Sequence, residues 1–252
     1  MSIVQRLVGV GMGPGDPELV TVKALRVLRE ADVVLVPVMA PDEPGRAEAT
    51  VRAHLGDDPR VQRVVFALDD RGGVTPRREA AWEAAAGAVV AAFRESAETV
   101  AFATIGDPAV YSTFAYLAQT VRERVRHAEV HTVPGITAMQ DLAARAGISL
   151  CEGEESLALF PMTAGLDRYR DLLRGVDTVV AYKGGRHLPE MLALLAVEDR
   201  LDGAVVGSGL GLAGERVVAA SDVASRIGGA ERAPYLTTVI APPRRAGRGG
   251  RL

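Results

Sequence analysis

One cysteine, Cys151, stands in a chain of 252 residues. No internal disulfide can form, which fits a reducing compartment. Lysine is nearly as scarce. Lys23 and Lys183 are the only two, so arginine carries almost all of the positive charge. That bias reads first as genome composition. The formal net charge is −3, so no global basic field points to nucleic acid. No apolar run approaches the roughly 20 residues that a membrane span needs. The N-terminus lacks the basic, apolar, small-residue order of a secretory signal. A soluble cytoplasmic protein is expected, with neither nucleic acid nor membrane as partner.

Several catalytic signatures are missing as well. No G-x-S-x-G occurs, so there is no nucleophile elbow. The four histidines form no ligand pattern. His127 and His131 are four apart but straddle the start of a strand, and no metal site is expected. No Gly-Lys-Ser/Thr follows the glycine-rich stretch near the N-terminus, which excludes a P-loop.

What is present is apolar and alternating. Hydrophobic residues make up 48% of the chain and charged residues 24%, enough to bury one large core or two smaller ones. Strand-like runs fall at Arg6–Val10, Val33–Val38, Val61–Phe66, Thr99–Ala103 and Glu129–Val133. Five more fall at Leu157–Phe160, Thr178–Tyr182, Ala204–Ser208, Glu215–Ala219 and Leu236–Ala241. Runs such as "VVLV" and "TVVAY" are apolar throughout, as suits strands covered on both faces. Helical patterns lie between them. Asp16 and Pro17 form a helix start, followed by Leu19, Val22, Leu25 and Leu28 at helical spacing up to Asp32. Residues 75–96, 112–125 and 136–147 read as three further helices. The alternation predicts an α/β fold. After Gly203 strands follow closely, with a short helix near Asp222–Ile227, which predicts a second sheet with antiparallel pairs. The expected division is 1–134, then 135–243, then a Pro/Gly/Arg-rich flexible tail over 244–252.

The stretch "LVGVGMGPGDPELV" raises the question of a ligand. Gly9 and Gly11 match the dinucleotide fingerprint, but Pro14 stands where the third glycine belongs. No acid ends the second strand, so the ribose-binding carboxylate is missing too. The loop suits a ligand without a pyrophosphate, or a tight turn that binds nothing. Three other strand ends carry similar punctuation: Gly106-Asp107-Pro108, Pro134-Gly135 and Lys183-Gly184-Gly185. Carboxyl ends of parallel strands share an edge where ligands bind, so together these loops point to a cleft.

The motifs "VGVGMGPGDPELVTVKAL", "GDPAVYST", "VPGITAM" and "YKGG" resemble those of the tetrapyrrole (corrin/porphyrin) methylases. The likeness extends to about Pro243. The form "GDPAVYSTFAYL", with "RREAAWEAAA" before it and "LGLAGERVV" after it, is most similar to the members that methylate precorrin-2 at carbon 20. Sister enzymes that act at another ring carbon share the main motifs, and that alternative stays open. A non-catalytic adenosine-binding module is the alternative from another class.

The resemblance implies two α/β domains, the first with a mostly parallel sheet and the second with a mixed one, usually as a homodimer. It implies S-adenosyl-L-methionine as methyl donor and precorrin-2 or cobalt-precorrin-2 as substrate, giving precorrin-3A from the metal-free form and S-adenosylhomocysteine. The cofactor residues carried over are Pro14, Ile105, Gly106, Asp107, Val110, Thr137, Ala138 and Lys183, then Leu210, Gly211 and Leu212. Other readings stand beside these. Pro14 is also a rigid turn former, Asp107 and Thr137 are also helix caps, and Tyr111 is either the proton acceptor or a packing tyrosine. The substrate's carboxylates call for arginines, with Arg46, Arg71, Arg77, Arg78 and Arg186 in or beside loops.

Overall fold

The computed structural model describes residues 4–67, 73–226, 233–245 and 247. The chain divides into two compact units, 1–137 and 138–252. Among the described residues no helix is long and apolar enough to cross a membrane.

Among the described residues the first unit holds five strands: β1 (Arg6–Gly11), β2 (Val33–Val38), β3 (Val61–Val65), β4 (Thr99–Thr104) and β5 (Glu129–Val133). They form one sheet in the order β3-β2-β4-β1-β5, with every pairing parallel. Four helices connect them: α1 (Val22–Glu30), α2 (Arg46–Leu55), α3 (Pro76–Arg94) and α4 (Phe114–Arg124). Strand alternation sorts the side chains into two cores. Leu7, Leu35, Val100 and Phe102 face α3 and α4, packing on Val89, Phe93, Phe114 and Leu117. Val8, Val10, Val34, Val36, Ala101 and Ala103 face α1 and α2, packing on Ala24, Leu28, Ala47 and Val51. Burial on both faces is why β1, β2 and β4 read as apolar runs, while the edge strands β3 and β5 keep exposed polar residues.

The helix expected from Pro17 onward is split in two. Asp16 Oδ1 accepts from Glu18 N at 2.9 Å and starts only a single 3-10 turn, Pro17–Leu19. Val20 is extended, and Thr21 Oγ1 then caps α1 by accepting from Ala24 N at 3.1 Å. The turn brings the Leu19 carbonyl against Gly13, where an added Cβ would lie 2.8 Å away. Asp32 supplies no ribose contact at the strand's end. It ties the starts of β2 and β4 together, accepting from Glu98 N and Thr99 N at 2.9 Å each.

The described residues of the second unit also form five strands: β6 (Leu157–Pro161), β7 (Thr178–Tyr182), β8 (Val205–Ser208), β9 (Arg216–Ala219) and β10 (Thr238–Ala241). Their order is β6-β7-β10-β8-β9, and only β6–β7 is parallel. The antiparallel pairs expected after Gly203 are present, in a mixed sheet that also takes in β6 and β7 from before it. One face packs on α6 (Leu166–Gly175), α7 (Leu188–Val197) and α8 (Ala220–Arg226) through Tyr169, Leu173, Met191 and Leu195. The other face carries Val180 and Ile240 against Leu142 of α5 (Ala138–Ala146). Of the tail expected to be flexible, Arg244 pairs with Asp199, and Arg245 Nη2 reaches Glu155 at 2.6 Å. Residues 246 and 248–252 lie outside the described residues.

Candidate functional site

The parallel sheet brings the carboxyl ends of β4, β1 and β5 side by side. The loops that leave them meet backbone to backbone. A Cβ on Gly11 would lie 2.6 Å from Gly135 Cα and 2.7 Å from the Gly106 oxygen. Gly106 N donates to Gly13 O at 2.7 Å. The Asp107 carboxylate completes the junction, Oδ2 accepting from Gly135 N at 2.9 Å and Oδ1 from Ala109 N at 2.7 Å. The bond to Ala109 N is a local cap, and the bond to Gly135 N clamps the loops after β4 and β5 together. Gly9 has a different task, since a Cβ there would strike the Phe114 ring at 2.6 Å and lift α4 off the sheet.

Around this junction Pro14 is buried, and Ile105, Gly106 and Val110 are half-buried. Gly106 has φ +68°, and an added Cβ would meet nothing within 4 Å. Its α-carbon therefore borders open space, in a conformation that favours glycine. Thr104 Oγ1 and Ser112 Oγ lie 2.9 Å apart, and Ser112 Oγ accepts from Phe114 N at 3.1 Å, which fixes the far end of the loop. Between them Tyr111 is 45% exposed at φ +49°. Nearly half of its surface is open to solvent, so packing does not account for all of it. Burial of part of its surroundings raises the pKa of its hydroxyl, so at neutral pH it holds its proton and can donate it to a hydrogen bond.

Thr137, only 8% exposed, ends the first unit, and Ala138 opens α5 in the second. The Tyr182 hydroxyl accepts from Met139 N at 2.8 Å and so ties the end of β7 to the start of α5. Lys183 follows with φ +61°, a left-handed conformation uncommon for a residue with a side chain. The two glycines after it serve packing: Gly184 N donates to Thr237 O at 3.0 Å, and Gly185 O accepts from Ala233 N at 3.1 Å. Leu210 is 6% exposed, with its side chain in the core beside Leu142 and Ile240, which leaves its main chain for any ligand. Gly211 N donates to Glu215 Oε2 at 2.7 Å, and Leu212 N to Gly209 O at 2.9 Å.

Three charged residues escaped the sequence reading. Asp141 Oδ1 accepts from Arg145 Nε at 2.7 Å, and Arg145 Nη1 reaches Glu215 Oε1 at 2.8 Å. The first pair is a visible i, i+4 signal on a helix. The second joins residues 70 apart in sequence and leaves no local trace. His127 and His131 do not act together: His127 Nε2 lies 3.0 Å from Gln5 Oε1, and His131 Nε2 lies 3.1 Å from Glu129 Oε2. Of the arginines suggested for carboxylates, Arg78 Nη1 donates to Gly73 O at 2.6 Å, and Arg71 lies outside the described residues. Arg46 begins α2, is exposed, and has no ion pair among the described residues.

Residues 6–223 match the family model of the tetrapyrrole (corrin/porphyrin) methylases. This chain belongs to that family. A precorrin-2 C(20)-methyltransferase from a Sinorhizobium species is 32% identical over 243 residues, 95% of this chain and 96% of its own length. A cobalt-precorrin-2 C(20)-methyltransferase from Salmonella typhimurium is 32% identical over 212 residues, 84% of this chain and 86% of the relative. Among solved structures, the uroporphyrin-III C-methyltransferase of Thermus thermophilus complexed with S-adenosylhomocysteine has a TM-score of 0.61 at 23% identity. The match covers 94% of this chain and 97% of that one. That likeness is one of fold. In this methylase the bare backbone at Gly11, Gly106 and Gly135 lies within the matched residues, and Pro14 stands where a dinucleotide fingerprint has its third glycine.

Proposed function

We propose that this chain is an S-adenosyl-L-methionine-dependent methyltransferase that methylates precorrin-2 at carbon 20, on the route to cobalamin. The observation that carries the reading is the glycine junction of Gly11, Gly106 and Gly135 clamped by Asp107. The junction offers main-chain groups and open space beside Gly106 and has no phosphate-binding lysine. Such a surface fits a ligand made of a nucleoside and an amino acid. The residues assigned to it in the first unit are Pro14, Ile105, Gly106, Asp107, Val110 and Thr137. In the second they are Ala138, Lys183, Leu210, Gly211 and Leu212. When bound, S-adenosylmethionine supplies an electrophilic methyl group to a ring carbon that is already electron-rich.

The chain's own contribution is then positioning and exclusion of water rather than activation of a nucleophile. Tyr111, beside the Gly106 loop and holding its proton at neutral pH, orients a substrate oxygen or nitrogen. Arg46, exposed and with no ion pair among the described residues, is a candidate to receive a carboxylate of the substrate. A homodimer in the cytoplasm completes the reading, and the family's names for relatives leave both precorrin-2 and cobalt-precorrin-2 as substrates.

The test is turnover of precorrin-2 with the methyl donor under anaerobic conditions. Mass spectrometry should find one added methyl, and NMR should locate it on carbon 20. A methyl on another carbon overturns the step assignment and leaves the family intact. Calorimetry should detect S-adenosylhomocysteine and no NADPH; the reverse would sink the cofactor assignment.

A further inference from the structure

The loop Gly209–Gly214 carries three glycines at positive φ: Gly209 at +61°, Gly211 at +70° and Gly214 at +86°. A backbone this permissive does not hold one shape by itself. Its main-chain bonds, Leu212 N to Gly209 O at 2.9 Å and Glu215 N to Leu212 O at 3.1 Å, are local turns. One side chain reaches back into it: Glu215 Oε2 accepts from Gly211 N at 2.7 Å. The other oxygen of the same carboxylate accepts from Arg145 Nη1 at 2.8 Å. Arg145 in turn is anchored through Nε to Asp141 at 2.7 Å. Asp141 is 5% exposed, and its second oxygen is buried without a hydrogen-bond partner. A buried carboxylate in that state resists the loss of its one cation, so Arg145 is held firmly. The guanidinium fork thus relays the position of α5, which packs on β9 and β10, to the Gly211 amide.

We propose that Arg145 and Glu215 are positioning residues that set the Gly209–Gly214 loop in the shape that receives the cofactor. This rests on the methyltransferase reading above, in which Leu210–Leu212 contact S-adenosylmethionine. The relay also joins this loop to the helix that begins at Ala138, so two candidate cofactor segments of the second unit share one frame. Neither residue touches reacting atoms; they act by keeping a glycine-rich backbone in one conformation before the ligand arrives.

Glu215→Ala is the decisive variant, because it leaves the buried Asp141–Arg145 pair in place. Three readouts are expected to move together. Amide exchange at Gly211 quickens in the free protein. The affinity for S-adenosylhomocysteine falls about tenfold, the scale of one hydrogen bond to a charged group. The KM for S-adenosylmethionine rises by a similar factor while kcat stays within about twofold, since only ground-state reception is weakened. Glu215→Gln keeps an acceptor for Gly211 and loses the charge that Arg145 binds, so its affinity should fall between wild type and Glu215→Ala. Quickened exchange with unchanged affinity overturns the proposal, because the loop then lies outside the cofactor site. A parallel fall in kcat and melting temperature overturns it too, as the mark of general damage. If the wild-type protein binds no S-adenosylhomocysteine at all, the methyltransferase reading fails instead, and the exchange data still report on the relay.

Discussion

Asp107 and Gly135 make a two-residue joint whose parts can be removed separately. Gly135→Ala puts a methyl group 2.8 Å from Gly11 Cα and into the Gly106 carbonyl oxygen, so backbone has to move. We expect a loss of about 1–3 kcal/mol, the usual cost of overpacking, and no measurable binding of S-adenosylhomocysteine. Asp107→Ala removes the acceptor for Gly135 N and leaves the space open. Cofactor affinity should drop roughly tenfold with only a few degrees of change in the melt, by analogy with the loss of a charge-assisted hydrogen bond. An unaltered affinity in calorimetry would remove this loop from the site. Glu48 permits a prediction of another kind. It is 1% exposed and accepts from Arg63 Nε and Arg52 Nε at 2.8 Å each, and from Gly45 N at 3.3 Å. Burial opposes its charge, but the two guanidiniums and the amide outweigh burial and hold its pKa below the usual carboxylate value. A carboxylate with a depressed folded pKa stabilises the fold above its unfolded pKa of about 4.3, and that contribution disappears as pH falls through the folded value. Urea midpoints measured from pH 7 downward should therefore decline below about pH 5, and Glu48→Gln, less stable at pH 7, should show a flatter acid limb. Equal acid slopes in the two proteins would count against the assignment.

At the scale of elements, the sequence was most legible where composition is uniform. The ten strands described coincide with the expected runs, and the clearest are β1, β2, β4, β7 and β10, whose near-complete burial needs no polar alternation; β3, β5 and β9 carry exposed polar residues. Helices were less legible. α2 buries Glu48 and Thr50 among Ala47 and Val51, and these polar residues break its apolar stripe. α7, "LPEMLALLAV", is apolar around most of its circumference and shows no helical face to read. The glycine loops stood out because bare backbone is a compositional signal. The Arg145–Glu215 contact did not, because it exists only after β8 and β9 have brought the loop back to α5. Arg200 belongs to the same class of contacts that only the fold creates. Its guanidinium donates to the carbonyls of Leu173 at 2.6 Å, Val176 at 3.2 Å, Ala241 at 3.1 Å and Pro242 at 3.3 Å, and to that of Asp177. One cation thereby caps the end of α6 and ties it to the end of β10. Arg200→Met should cost about 2–3 kcal/mol, seen as a melting point lowered by roughly 4–12 °C. A melt within 1 °C of wild type, about the spread of replicate scans, would mean that solvent replaces these bonds without loss.

For the molecule as a whole, charge decides how a polycarboxylate is received. With Lys23 and Lys183 the only lysines, the proposed polycarboxylate substrate would be met by arginines, and each exposed pair contributes only about 0.2–1 kcal/mol. The KM for the tetrapyrrole should rise with ionic strength while affinity for S-adenosylhomocysteine barely moves, and Arg46→Ala should raise that KM roughly two- to fivefold. A KM indifferent to salt would exclude this mode of recognition. The strand order of the second unit bears on the protein's synthesis. β10, the last strand among the described residues, lies between β7 and β8, and pairs with both. While the ribosome is still translating the residues before Thr238, β7 and β8 are formed sequences with no strand to join them, and both expose an unpaired edge. At roughly 5–20 residues per second, that interval spans several seconds from the emergence of β7. A nascent chain that stalls there presents two open apolar edges to chaperones and proteases, so premature termination even a few codons before Thr238 should yield protein that is degraded and never accumulates.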